Sequence, residues 1–132
     1  MTVVAYLDSS AIVKLVVREG ESASLRKFLR THPVRVVSAL ARVEVPRAVR
    51  AHGQDAIARA GEVLDRLVHV AVDNPILDRA ATLDASVLRS LDAIHVATAL
   101  QLGEDLAVLV TYDDRMRSAA LAHGLRVEAP TA

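Results

Sequence analysis

Apolar residues follow two spacings along this chain, and the changeovers between them mark out alternating strands and helices. Val3 to Leu7 is a short apolar run that stops at Asp8-Ser9-Ser10, after which Ala11, Ile12, Leu15 and Val16 recur at helical spacing. Gly20 breaks that pattern, and Ser22 is placed to cap a second helix with Leu25, Phe28 and Leu29 on one face, ending near His32-Pro33. Val34 to Val37 predicts a second strand. Ser38 is then placed to cap a helix carrying Leu40, Val43 and Glu44. Within it Pro46 predicts a kink or break, because it lacks a donor and crowds the carbonyl of Arg42, at about 3 kcal/mol in a helix interior.

Gln54 to Leu67 carries Ile57, Ala60, Leu64 and Leu67 on one stripe, and Val68 to Val72 predicts a third strand before Asp73-Asn74-Pro75 opens another helix. Ser90 to Leu102 is apolar or small nearly throughout, which predicts a helix buried on most sides and closed by Gly103. Leu106 to Val110 reads as a central strand ending at Thr111-Tyr112-Asp113. A short helix then runs to Gly124, and Leu125 to Val127 predicts a last strand.

A length of 132 residues suits one domain spanning 1–132. With 52% hydrophobic but only 2% aromatic residues, the core must come from Val, Leu, Ile and Ala, as in parallel strands covered by helices. Tyr6, Phe28 and Tyr112 are too few for a base-stacking platform, so binding of nucleic acid would rest on charge and metal. Sixteen basic residues balance sixteen acidic ones, which leaves local patches in place of a global positive field. The lack of cysteine removes disulfides and thiolate metal sites, and no stretch reads as a signal peptide or membrane span. A soluble cytoplasmic protein is the expectation.

Against that apolar background, Asp8, Glu44, Asp92 and Asp113 stand where strands run into helices or in the first turns of helices. Each has an ordinary explanation taken singly: a turn, a cap, a favourable place in the field of a helix N-terminus, or, for Glu44, an exposed face. Together they would line the carboxyl edge of a parallel sheet, where ligands bind. Two like charges about 4 Å apart cost about 4 kcal/mol at an effective dielectric near 20, so such a cluster needs a cation or shared protons. Hard oxygen donors without cysteine favour Mg²⁺ or Mn²⁺, and those ions serve phosphoryl chemistry. Ser9, Ser10 and Thr111 place hydroxyls nearby, and Arg115 and Arg117 follow the last acid where phosphate could bind. Ser9, Thr111 and Arg115 are the candidate substrate contacts. His95, three residues after Asp92, is either a ligand or general acid or a hydrogen-bonded core histidine. Asp114 rivals Asp113.

The segments Asp8-Ser9-Ser10-Ala11, Ser38 to Glu44, Leu88 to Ala99 and Val110 to Met116 resemble PIN-domain ribonucleases of the VapC toxin type, in the family's order and over essentially the whole chain. The resemblance implies an α/β/α sandwich with a central parallel sheet, and Mg²⁺ or Mn²⁺ held by Asp8, Glu44, Asp92 and Asp113. It also implies endonucleolytic cleavage of RNA, inhibition by a VapB-like antitoxin whose C-terminal segment enters the groove, and a homodimer. Cleavage of DNA by the same ion chemistry, or a catalytically silent binding module whose acids are caps, are the alternatives. An aspartate phosphotransferase would need an acid where Ser10 stands.

Overall fold

The computed structural model describes residues 3–132. Its strands are β1 (Val4–Leu7), β2 (Arg35–Ser38), β3 (Val68–Val70), β4 (Leu106–Val110) and β5 (Val127–Glu128). The helices are α1 (Ser9–Val16), α2 (Ser22–Leu29), α3 (Ala41–Val49), α4 (Gln54–Asp65), α5 (Asn74–Thr82), α6 (Ser90–Gln101) and α7 (Asp114–Ala122). The strands form one sheet in the order β3-β2-β1-β4-β5, and every pairing is parallel.

Crossovers between parallel strands are right-handed, so a chain that first builds outward from β1 and then returns to its other side must move its helices to the opposite face. That is what the packing shows. Ala5, Leu7, Val37, Val108 and Val110 face α1 to α4, whereas Val4, Tyr6, Val36 and Leu109 face α6 and α7 with Leu83 and Leu88. The result is a three-layer α/β/α sandwich. Its strand order reverses between β1 and β4, and the crevice beyond their carboxyl ends is the place where such sheets bind ligands.

Local chemistry corrects several expected boundaries. Ser22 is the first residue of α2 and does not cap it; Glu21 holds that position, while the Ser22 hydroxyl accepts from the Glu19 amide. Ser38 ends β2 and its hydroxyl accepts from the Leu40 amide in the following turn, so it shapes the entry to α3 without being its cap. α3 runs through Pro46 unbroken and ends in a 3₁₀ turn, Arg50–His52, that closes at Gly53 with φ 94°. β3 stops at Val70 because Asp73 already caps α5 by accepting from the Ile76 amide at 3.1 Å. β5 pairs one residue later than expected, with Val127 beside Leu109.

α6 is buried over Ala93 and His95 to Ala99, as its unbroken apolar character predicts. Among the described residues no helix is long and apolar enough to cross a membrane.

Candidate active site

Only Asp8 separates β1 from α1, and it occupies the helix N-cap. One carboxylate oxygen, Oδ1, accepts the Ala11 amide hydrogen at 2.9 Å and the Ser10 hydroxyl at 2.7 Å; the other, Oδ2, accepts the Thr111 hydroxyl at 2.5 Å. All three donors are neutral. The residue is 2% exposed, and no lysine, arginine or histidine forms an ion pair with it among the described residues. Burial therefore pushes its carboxyl above the ordinary aspartate range, against the lowering pull of the Thr111 and Ser10 hydroxyls and the Ala11 amide.

Thr111 follows β4 and is fully buried. Its hydroxyl gives its hydrogen to Asp8 and accepts the Asp113 amide at 3.0 Å, so one oxygen ties the ends of β1 and β4 to the start of α7. Asp113 is the N-cap of α7, where its Oδ1 accepts from the Arg115 and Met116 amides at 2.9 and 3.0 Å. Asp114 is the first helical residue and is exposed. Replacing Thr111 with valine keeps the shape but leaves a buried carboxylate oxygen and a backbone amide unpaired, for a loss of about 1–3 kcal/mol. A thermal melt should show Thr111→Val well below wild type and Thr111→Ser close to it; equal melting of all three would remove this account of the staple.

Glu44 lies on α3, half-buried, and its Oε1 accepts the Ser9 hydroxyl at 2.8 Å and meets Nε2 of His95 at 2.6 Å. Burial raises its carboxyl, but the hydrogen bonds from His95 and Ser9 outweigh that and hold it below the ordinary glutamate value. The other face of His95 meets the phenol of Tyr6, 2.7 Å from Nδ1.

Asp92 sits in the first turn of α6, partly buried. Its carboxyl is pushed up by burial and then by the negative charge of Asp113, with smaller contributions from Asp8 and Glu44. The four acids thus share one field, and neither Asp92 nor Asp113 has an ion-pair partner among the described residues. Arg89 and Arg115 line a recess with Asp92, Asp113 and Asp114 without pairing to them. An all-oxygen donor set of surplus negative charge fits a hard dication. Among the described residues no group of three or more His, Asp or Glu side chains stands close enough together to hold a metal ion as it is placed here.

The PIN domain family model matches residues 5–121. Over 126 residues the chain is 55% identical to ribonuclease VapC46 of Mycobacterium tuberculosis, covering 96% of this chain and 97% of that protein. This chain belongs to the VapC family of PIN-domain proteins. The family's fold is matched by the crystal structure of Mycobacterium tuberculosis VapC20, described as a sarcin-ricin loop cleaving toxin, at a TM-score of 0.73 and 16% identity over 87% of this chain and 94% of that one. A toxin–antitoxin complex from Klebsiella pneumoniae matches at 0.73 and 20% identity, covering 96% and 97%.

In this VapC-family chain Asp8 and Asp113 are both helix caps, joined through the Thr111 hydroxyl, so the capping explanation accounts for the position of each. Two expected substrate contacts have other occupations: the Thr111 hydroxyl is sealed between Asp8 and Asp113, and the Ser9 hydroxyl is spent on Glu44. Ser10 orients Asp8 and accepts the Tyr112 amide at 3.0 Å. Arg115 is exposed beside the acids. His95 is the hydrogen-bonded core histidine, 2% exposed, yet its ring touches Glu44. Tyr6 is the residue missed from sequence. The signal was present: a phenol on the inner strand of a buried sheet needs a polar partner, and alternation along β1 aims it at the α6 side.

Proposed function

We propose that this protein is a metal-dependent endoribonuclease and the toxin of a toxin–antitoxin pair. The observation that carries the reading is the Asp8 carboxylate, buried at the strand-order reversal without a cationic partner and inside the shared field of Asp92, Asp113 and Glu44. The named activities of VapC46 and VapC20 support ribonuclease chemistry for a chain that shares their family.

In this reading Asp8, Asp92 and Asp113 hold Mg²⁺ or Mn²⁺, and Glu44 is a further ligand or the group that positions the attacking water. When bound, the dication supplies Lewis-acid chemistry, activating water and offsetting charge on the phosphodiester as it is displaced. Glu44 suits its role because Oε1 is committed to Ser9 and His95, leaving Oε2 for a ligand or a water hydrogen. Its lowered carboxyl stays ionised at neutral pH. In this reading Asp113, which caps α7 and whose charge raises the Asp92 carboxyl, is preferred to Asp114 as the last ligand.

Arg115, on the rim, is the candidate phosphate contact. Arg115→Ala should raise KM for RNA about tenfold with kcat little changed, and should flatten the log–log salt dependence by about 0.7, the share of one phosphate on a single strand. Unchanged KM and salt slope would remove it from the substrate path. Beside Glu44 the cleft is walled by Val13, Val43 and Leu91, with Val43 62% exposed. Apolar walls next to carboxylates suit an antitoxin segment that presents both a basic and an apolar side chain. A homodimer belongs to the same reading.

The deciding experiment compares labelled RNA with DNA of the same sequence in Mg²⁺, Mn²⁺ and EDTA. RNA cut internally only with the ion is the expected result. Cleavage of DNA alone would replace the reading with a DNA nuclease, and no cleavage of either would replace it with a binding module. Sequencing RNA 5′ ends after induced expression would name the target.

A further inference from the structure

Tyr6 is fully buried in the innermost strand, two residues before Asp8. Its oxygen accepts the Ser38 amide hydrogen at 3.2 Å and lies 2.7 Å from Nδ1 of His95. A backbone amide only donates, so the Ser38 contact uses a lone pair; of the two groups left for the phenolic hydrogen, the His95 ring nitrogen at 2.7 Å is taken over the neighbouring Thr98 hydroxyl, which gives its own hydrogen to the Ile94 carbonyl. Nδ1 is then the accepting nitrogen, and the ring hydrogen belongs on Nε2, which points at Glu44 Oε1 from 2.6 Å.

The elements joined in this way are the ones that carry the acids. Tyr6 shares β1 with the approach to Asp8, His95 shares α6 with Asp92 three residues earlier, and Glu44 stands on α3. We propose that His95 is a positioning residue for Glu44: the Tyr6 phenol fixes its tautomer, and its Nε2–H holds the Glu44 carboxylate in one orientation relative to Asp8 and Asp92. The proposal rests on the reading of Glu44 as part of the metal and water site. A hydrogen-bonded partner behind a ligating group commonly changes metal affinity or activity 10- to 100-fold, about the size of effect to look for.

The experiment uses the whole chain, labelled with ¹⁵N-histidine, with Mn²⁺ binding and RNA cleavage measured on the same preparations. In wild type without metal, ¹⁵N spectra near neutral pH should show His95 protonated on Nε2 and bare on Nδ1. Tyr6→Phe removes one hydroxyl from the core and should mix the tautomers, weaken Mn²⁺ about tenfold and lower kcat about tenfold, with KM for RNA unchanged. His95→Leu should weaken Mn²⁺ and lower kcat to the same extent, and circular dichroism with melting identifies the variants that keep the fold. A wild-type ring protonated on Nδ1 overturns the proposal. So does a folded Tyr6→Phe with wild-type Mn²⁺ affinity and kcat. Glu44→Gln separates the two levels: if it binds Mn²⁺ and cleaves like wild type, the reading of the site fails, whereas a defect there alongside normal Tyr6→Phe and His95→Leu defeats only the positioning role.

Discussion

Asp8→Asn is expected to abolish RNA cleavage while raising the melting temperature of the metal-free protein. The two effects have one cause, the burial of a carboxylate that only neutral groups support. Losing a directly bound ligand removes several kcal/mol of charge stabilisation, and each 1.36 kcal/mol is tenfold in rate, so a fall of about a thousandfold or more is expected. Without metal the wild-type anion is a liability, since burial makes its ionised form unfavourable. The amide keeps an acceptor for Ala11 and Ser10 and removes the charge, but its NH₂ faces the Thr111 hydroxyl, which loses its acceptor at a cost of about 1–3 kcal/mol; relief of the buried charge exceeds that in this account, and a net gain of about 1 kcal/mol would appear as about 3–6 °C. Measured together, cleavage of labelled RNA and melting in EDTA distinguish the possibilities. Undiminished cleavage would sink the nuclease reading, and a lower melting temperature would sink the account of Asp8 as a destabilising buried charge.

Divalent metal should reverse the dependence of stability on pH at this site. Asp8 and Asp92 both have carboxyls raised above the ordinary aspartate value of 3.8, for each of them chiefly through burial. A raised folded-state value means that the native protein binds these protons more tightly than the unfolded chain. Their contribution is then fully present below the unfolded value and is lost as pH rises through the folded one. Glu44, lowered, works in the opposite sense, contributing above its unfolded value and losing that contribution as pH falls. Exposed carboxyls elsewhere, Glu21 and Asp84, are also lowered, so the informative quantity is wild type minus Asp8→Asn in EDTA, which should become more negative from pH 4 upward. If the dication binds the ionised cluster as proposed, it competes with protons and the order inverts with Mg²⁺. At a hundred times its dissociation constant a ligand adds about 2.7 kcal/mol, so a rise of about 8–16 °C is expected at neutral pH and little at pH 4. A Mg²⁺ effect of equal size at both pH values, or none at either, would contradict a carboxylate site.

Much of this was legible from residue order. Asp8 and Asp113 were readable because each ends a strongly patterned strand, and a parallel sheet brings strand ends together whatever lies between them. Glu44 was readable only by its distance from a strand end, since an isolated acid on an amphipathic helix looks like solvent-facing charge. The hydroxyls were harder: Ser9 and Ser10 are adjacent, yet one serves Glu44 and the other Asp8, a division set by the pitch of α1. The hydroxyl of Thr111 is visible in residue order, but its burial is not, because that depends on how α7 folds over the end of β4. Serine caps at Ser22 and Ser38 failed for a related reason. Propensity marks a neighbourhood, and the residue that takes the cap is chosen by where the preceding turn leaves the backbone.

The hydrogen bond from Thr111 to Asp8 joins residues separated by 103 positions, and β1 lies between β2 and β4. During synthesis, therefore, the first strand made waits for β4 before its second edge is filled and its aspartate is enclosed. Closing so long a loop is entropically slow, and strands paired at such separation fold late. Until β4 is in place, β1 therefore has an open second edge and Asp8 lacks its Thr111 hydrogen bond, so the cleft is among the last parts of the fold to be completed.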